Sequence, residues 1–384
     1  MLVVEKYLSV IGGHEHSQLK AIDYLTPARK KIFVTGVDCS DAKYGDMRVL
    51  SVLSTRRDHR KCPDWSVKHD AAILAHLLDD QSNDTNCPLL FPNAQTHDIR
   101  VCLALLNEQS DVVRVYLRIL VMQELTNLHE KELSILRAAV LSGRVKIVTE
   151  TASMTAYLKD HHNLPSSDNL LLPCSIFPTN QEHSGLSKAD GKQVFKVGYL
   201  GGFRDEKGSK LIPQILGHLN SHLAEYTNSI KVEFVMQKPD FRLQTRSLWY
   251  EWRLRRSLNW PFPNKKLNLA TLPLGMAPGE FQEALHSVDL MLVPYRSSSY
   301  SQRGSGIIID GVMAEKPIVH TIGIGMSELL RFGNGEGSSE HPDAYAQAIM
   351  KVLSNLERYR KPTKKAAEAL NLKLQEAADF LAEI

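Results

Sequence analysis

The chain has 384 residues and a mass of 43.1 kDa, too long for one ordinary core and suited to two domains of similar size. With 43% hydrophobic and 23% charged residues and a net charge of +3, it reads as globular, and nothing marks it as a nucleic-acid binder. Its five cysteines (Cys39, Cys62, Cys87, Cys102, Cys174) form no CxxC pair, which excludes a zinc ribbon or a disulfide framework and suits a reducing cytoplasm.

In chain order, the first half predicts strands at 2–10, 32–35, 112–121 and 145–149, and helices at 17–24, 70–78 and 130–141. The opening stretch MLVVEKYLSVIGGHEH has no cationic start or small-residue cleavage site, so it is not read as a signal peptide. Residues 38–66 are polar and irregular and receive no element. The segment PCSIFPTNQEHSGLSKADG, residues 173–191, is rich in Pro, Ser, Gly and charge, and is expected to link the domains.

The second half is more regular. Strands are predicted at 194–200, 231–236, 267–274, 290–295 and 316–321, separated by helical spacing at 210–223 and 279–285. Strand and helix in alternation imply a parallel, doubly wound sheet. From Pro342 onward the chain is strongly helical, with a break expected at Pro362. No run reaches the ~20 apolar residues that a membrane span requires.

Two turns stand out. In VGYLGGFRDEKGSKLIPQIL, Gly201 and Gly202 open the backbone while Arg204 and Lys207 add positive charge, where backbone N–H groups and a helix dipole would favour a phosphate. A solvated surface turn would use the same residue types, and neither a GxGxxG nor a Walker pattern is present. In the second turn Arg303, Gly304, Ser305 and Gly306 precede a helix, with Ser305 as its N-cap and Asp310 about one turn in, where a carboxylate can accept from sugar hydroxyls. Asp310 could equally serve the helix dipole. Both turns follow predicted strands of one domain, the end at which parallel sheets bind ligands.

Two further features have competing readings. His14 and His16, His161 and His162, and His97 before Asp98 lack partners at metal-ligand spacing and read as structural or solvated; His14 is singled out for its glycine loop. The stretch 247–269 gathers three of four tryptophans with Arg253, Arg255, Arg256, Lys265 and Lys266. It suits either a peripheral contact with an anionic membrane or a helix with core Trp and wet Arg.

These turns, taken with Asp289, Pro294 and the segment from Asp310 to Val319 (DGVMAEKPIV), resemble the donor domain of GT-B glycosyltransferases, in particular the retaining family 4, over about 194–360. VIGGHEHSQLKAIDYL resembles the glycine loop after the family's first strand, and VTETASMTAYLKDHHNLP with LLPCSIFP its exit to the linker. The resemblance implies an α/β, GT-B fold: two Rossmann-like parallel-sheet domains facing across a cleft. It implies an acceptor domain at 1–180, a donor domain at 190–362, and a closing helix at 363–384 packed back on the first.

It further implies a cytoplasmic hexosyltransferase of polysaccharide biosynthesis, at most peripheral to the inner membrane face. Such an enzyme would move sugar from a UDP- or GDP-sugar to a glycan or lipid-linked acceptor, with retention, no cofactor, no metal and no nucleic acid. Arg204 and Lys207 would be catalytic; Gly13, Gly202, Arg303, Gly304, Ser305, Gly306 and Asp310 would hold the donor; His14 and Gln302 would border the cleft.

Three positions depart from the family: Gln302 and Asp310 stand for its two glutamates, and Glu315 for the glycine before Lys-Pro. Gln302 cannot act as a carboxylate, which keeps two alternatives open: a sugar-nucleotide epimerase-like enzyme and a non-catalytic nucleotide- or glycan-binding module.

Overall fold

The computed structural model of the protein describes residues 1–8, 14–36, 47–54, 63–80, 87–108, 114–174, 188–189, 192–225, 230–237, 266–273, 276 and 278–384. The chain divides into two compact units. The first comprises Met1–Ile176, Gln302–Gly304 and Leu372–Ile384; the second comprises Phe177–Ser301 and Ser305–Asn371.

Seven strands make the sheet of the first unit: β1 (Leu2–Val4), β2 (Ile32–Thr35), β3 (Val49–Ser51), β4 (Leu89–Phe91), β5 (Val115–Arg118), β6 (Val145–Val148) and β7 (Ser166–Ser167). They are parallel and ordered β3-β2-β1-β4-β5-β6-β7, so the order reverses between β1 and β4. The strand period of two is visible in the core. Leu2 and Val4 join one apolar cluster with Leu74, Leu105 and Leu136, while Val3 joins another with Leu19, Ile22 and Phe380. Helices α1 (His14–Leu25), α2 (Asp64–Asp80), α3 (Thr96–Glu108), α4 (Gln123–Thr126), α5 (Glu130–Leu141) and α6 (Ala152–His162) complete this unit's N-terminal segment.

The second unit repeats the plan. Its strands are β8 (Lys188–Ala189), β9 (Lys192–Tyr199), β10 (Lys231–Gln237), β11 (Leu267–Leu272), β12 (Leu290–Val293), β13 (Ile318–Thr321) and β14 (Gly335–Ser338). The parallel path runs β11-β10-β9-β12-β13-β14, with β8 antiparallel to β9, and the order reverses between β9 and β12. On one face, α7 (Ile212–Glu225) buries Ile212, Ile215, Leu216, Leu219 and Leu223, and α12 (Pro342–Leu353) adds Tyr345, Ile349 and Val352. Each fully buried side chain of this size contributes about 1.5–3 kcal/mol.

The remaining helices are α8 (Pro278–Ser287), α9 (Ser297–Tyr300), α10 (Gly306–Met313), α11 (Ser327–Leu330) and α13 (Glu357–Glu383). Gly311 of α10 packs so closely that a Cβ would press into Met291 of β12.

Among the described residues the strands predicted at 2–10 and 112–121 are confined to β1 and β5, residues 9, 10, 112 and 113 lying outside the description, and the helix predicted at 70–78 extends to α2. It also corrects the end of the chain: the break falls at residues 354–356, and α13 continues through Pro362. A proline near a helix start removes a single intrahelical bond. Thr363 Oγ1 donates to Arg360 O at 2.9 Å in the same turn. No helix among the described residues is long and apolar enough to cross a membrane. Of the predicted linker, residues 175–187, 190 and 191 lie outside the described residues, as do 247–265 of the Trp/Arg stretch.

Candidate active site

Parallel sheets of this order open a crevice where the strand order reverses, outside the carboxyl ends of the two strands concerned. In the second unit those strands are β9 and β12, paired at Leu290–Val197 and Met291–Gly198. The segments leaving them are 200–208 and 294–305, the two glycine turns of the sequence.

The first turn is shaped by glycine. Gly201 has φ 99° and Gly208 has φ 77°, both in the left-handed region. Between them Asp205–Lys207 forms a 3-10 turn, with Gly208 N donating to Asp205 O at 3.0 Å. Gly208 also touches the second turn: a Cβ there would overlap the Pro294 carbonyl oxygen. Arg296 N donates to Glu206 O at 3.0 Å, so the two turns are joined backbone to backbone. Arg296 Nη2 reaches Asp205 Oδ1 at 2.9 Å and Lys210 Nζ reaches Asp205 Oδ2 at 2.8 Å, an exposed charge lattice around the turn.

Lys207 points back toward the second turn. Its ammonium lies 5.5 Å from the centre of the Tyr295 ring, and a Cβ on Gly201 would be 3.6 Å from that ammonium and 3.0 Å from the Ile307 side chain. Arg204, with 60% of its side chain exposed, is 3.7 Å from Glu206. Ser305 caps α10, its Oγ accepting from Ile308 N at 3.4 Å, so the helix N-terminus and its positive dipole end lie beside Gly201 and Lys207. Asp310 is buried in the second turn of α10.

The structure thus brings Gly201, Gly202, Arg204, Lys207, Ser305, Gly306 and Asp310 into one unit. Gln302, Arg303 and Gly304 group with the first unit instead, where Thr151 Oγ1 donates to Gln302 O at 2.7 Å. Gly304 is glycine because a Cβ would overlap the Glu150 carboxylate. Gly12 and Gly13 lie outside the described residues; His14 begins α1, and its side chain is not described.

At the carboxyl end of the first unit's sheet the structure shows a second polar group that sequence reasoning did not assemble. Lys6 Nζ, fully buried, meets Ser54 Oγ at 2.6 Å, Asp70 Oδ2 at 2.6 Å and His97 Nε2 at 2.7 Å. Burial would raise the Asp70 carboxyl, but hydrogen bonds from His97 and Lys6 outweigh it and hold it far below the usual carboxylate range.

Arg118, also buried, donates to Glu150 Oε2, to Leu170 O at 2.7 Å and to Pro92 O at 2.9 Å. Nearby, burial pushes Asp98 up to about 6, and burial with the charges of Asp98 and Glu15 raises Glu5 well above its ordinary value. Lys6 and His97 are 91 positions apart, so no local motif announces them. Glu5 and Lys6 inside an apolar run were the only sign. His97, which the sequence shows without a partner at ligand spacing, has Asp70 Oδ2 2.8 Å from its Nε2 in the folded chain.

No protein-family model matches the sequence, and no curated protein matches it. Solved structures do. A glycosyltransferase from Rickettsia africae superposes with a TM-score of 0.69 at 13% identity, covering 100% of this chain and 97% of that one. HepE of Anabaena in complex with UDP gives 0.68 at 14% identity, covering 100% and 99%. Sucrose-phosphate synthase from Thermosynechococcus elongatus gives 0.65 at 12% identity, covering 100% and 97%.

The fold is GT-B. The likeness extends over the whole chain, so the GT-B assignment includes the first half, whose strands are too short to carry a strong sequence signal. At 12–14% identity the likeness speaks for the GT-B architecture.

Proposed function

We propose that the protein is a glycosyltransferase that takes a UDP-sugar as donor and passes the sugar to a glycan or lipid-linked acceptor, with retention and without metal. One observation carries this reading: a glycine-opened turn bearing Arg204 and Lys207 is joined to the turn after β12 at the point where the second sheet's strand order reverses, and that second turn ends at the N-terminus of α10. The UDP bound in a GT-B structure of the same extent favours uridine over guanosine.

In this reading the donor's diphosphate occupies the crevice outside β9 and β12. As the bond from the anomeric carbon to the diphosphate oxygen breaks, negative charge grows on that oxygen. Lys207 and Arg204 supply positive charge there, and the N–H groups at the start of α10 are already oriented toward it, so little reorganisation is needed during reaction. Asp310 serves the donor's ribose. The departing phosphate takes the acceptor's proton, so no protein base is required. The acceptor is assigned to the carboxyl end of the first sheet, near Glu5, Asp98 and Glu150.

The test is a thermal-shift and calorimetric comparison of UDP, GDP, ADP, CMP and dTDP, followed by UDP release from UDP-glucose with and without glycan acceptors. Stabilisation by UDP, with release accelerated by acceptor, supports the reading. Absence of stabilisation by every nucleotide would overturn it, and acceptor-independent release would point to epimerase-like chemistry.

A further inference from the structure

We infer that Tyr295 is a positioning residue that sets the two phosphate-facing turns against each other, its ring placing the Lys207 ammonium and its hydroxyl registering Ser305 at the start of α10. This rests on the reading that the crevice holds a diphosphate. Tyr295 follows Pro294 directly after β12 and is 1% exposed. A tyrosine serving only as core filler would present both ring faces to apolar atoms. Here the ring lies 5.5 Å from the Lys207 ammonium, and the hydroxyl accepts from Ser305 Oγ at 3.4 Å. A single rigid side chain therefore reaches both turns.

Tyr295 is itself fixed. Its backbone oxygen accepts from Thr321 Oγ1, and that hydroxyl is 2.7 Å from Tyr345 Oη, both partners being buried. The Tyr300 ring stands 4.4 Å away, centre to centre. On the opposite side Tyr199 Oη donates to Lys207 O at 3.2 Å, restraining the lysine backbone. The lysine is thus held at its main chain by β9 and at its ammonium by the segment after β12. A free lysine chain must give up rotamer freedom when it binds a phosphate; one already resting on an aromatic face, with the side-chain-free Gly201 beside it, gives up less.

The experiment is a double-mutant cycle read by UDP calorimetry, by the kcat and KM of UDP-glucose turnover, and by urea unfolding. Tyr295→Leu should weaken UDP binding about tenfold, and Tyr295→Phe, which keeps the ring, about twofold to threefold. In a Lys207→Met background the Tyr295→Leu effect should shrink to that of Tyr295→Phe, because the lysine is the route by which the ring acts. Equal losses for Tyr295→Leu with and without Lys207, or equal losses for Phe and Leu, would overturn the inference.

If wild type binds no UDP, the glycosyltransferase reading fails and the cycle is decided on unfolding free energies alone. Non-additive values for Tyr295 and Lys207 then uphold the coupling, and additive values end it.

Discussion

The two units share one strand order and treat its reversal point in opposite ways. In the first, the cations at the carboxyl ends are buried and already matched: Lys6 with Asp70 at 1% and 2% side-chain exposure, Arg118 with Glu150 at 0% and 7%. In the second, Arg204 and Arg296 are 60% and 44% exposed, and the backbone is opened by glycine. A charge neutralised within the protein organises strand ends. An exposed ion pair at a glycine turn, such as Arg296 with Asp205 at 2.9 Å or Arg204 with Glu206 at 3.7 Å, is screened by water and can yield its cation to a ligand. The same topology supplies a structural clamp in one unit and a candidate phosphate cradle in the other.

The comparison breaks first if the buried pair proves dispensable. Lys6→Met should destabilise the protein by about 3–5 kcal/mol, since it leaves Asp70 buried without its cation, whereas Lys6→Met combined with Asp70→Leu should recover most of that loss. Urea unfolding reads both. Loss of UDP affinity with stability intact in the Lys6 variant would move this cluster from clamp to ligand site.

Lys207→Ala should do the reverse. The barrier to sugar transfer should rise by about 3 kcal/mol, a hundredfold or more in kcat. The unfolding free energy should fall by no more than about 1 kcal/mol, the size of the ammonium's contact with the Tyr295 ring. Turnover equal to wild type would remove Lys207 from the site.

The titration of the first unit offers a third contrast. Burial raises Asp98 from 3.8 to about 6, so its folded form holds a proton that the unfolded chain has released. Its contribution to stability is complete below about pH 4 and is lost as pH rises through 6, which amounts to about 2–3 kcal/mol. Glu5 is raised in the same direction and Asp70 is lowered, so the clean reading is the difference between wild type and Asp98→Asn. The variant should gain stability relative to wild type between pH 4 and 7, while Gln95 N, 2.9 Å from Asp98 Oδ2, keeps an acceptor in asparagine. Parallel stability curves across that range would show that Asp98 ionises as it does in water.

How much of this could be read in advance follows the range of the contacts. The second unit's strands and both glycine turns were legible because each is a short, continuous signal: an apolar run, then glycine and charge. β14 was missed because Gly-Glu-Gly-Ser has no strand propensity. It pairs because Gly335 can lie against the Ile318 backbone, where a Cβ would overlap the carbonyl. In the first unit β3 and β4 have three residues each, too few for a period to show. The Lys6 cluster joins residues separated by 48, 64 and 91 positions, which only the folded sheet brings together. Tyr295 looked like the end of a strand; its role depends on where Lys207 and Ser305 fall in space.

The smallest expected effect lies at the far end of α10, and it separates glycine's two uses within the second unit. At the N-terminal end Gly201 and Gly208 are needed for both φ and close approach. At the C-terminal end Glu315 has φ 52°, the left-handed conformation that ordinarily favours glycine, with Glu315 N donating to Val312 O at 3.0 Å and Lys316 N to Gly311 O at 2.9 Å. These bonds close the helix in the manner of a Schellman motif, whose left-handed residue pays a steric penalty if it carries a Cβ. Glu315→Gly should therefore raise the unfolding free energy by about 1 kcal/mol, because relief of the left-handed strain outweighs the added freedom of the unfolded chain. UDP affinity should not change, since the end of α10 proposed to face the phosphate is two turns away. A destabilised Glu315→Gly protein would mean that the glutamate side chain contributes more than its backbone strain costs.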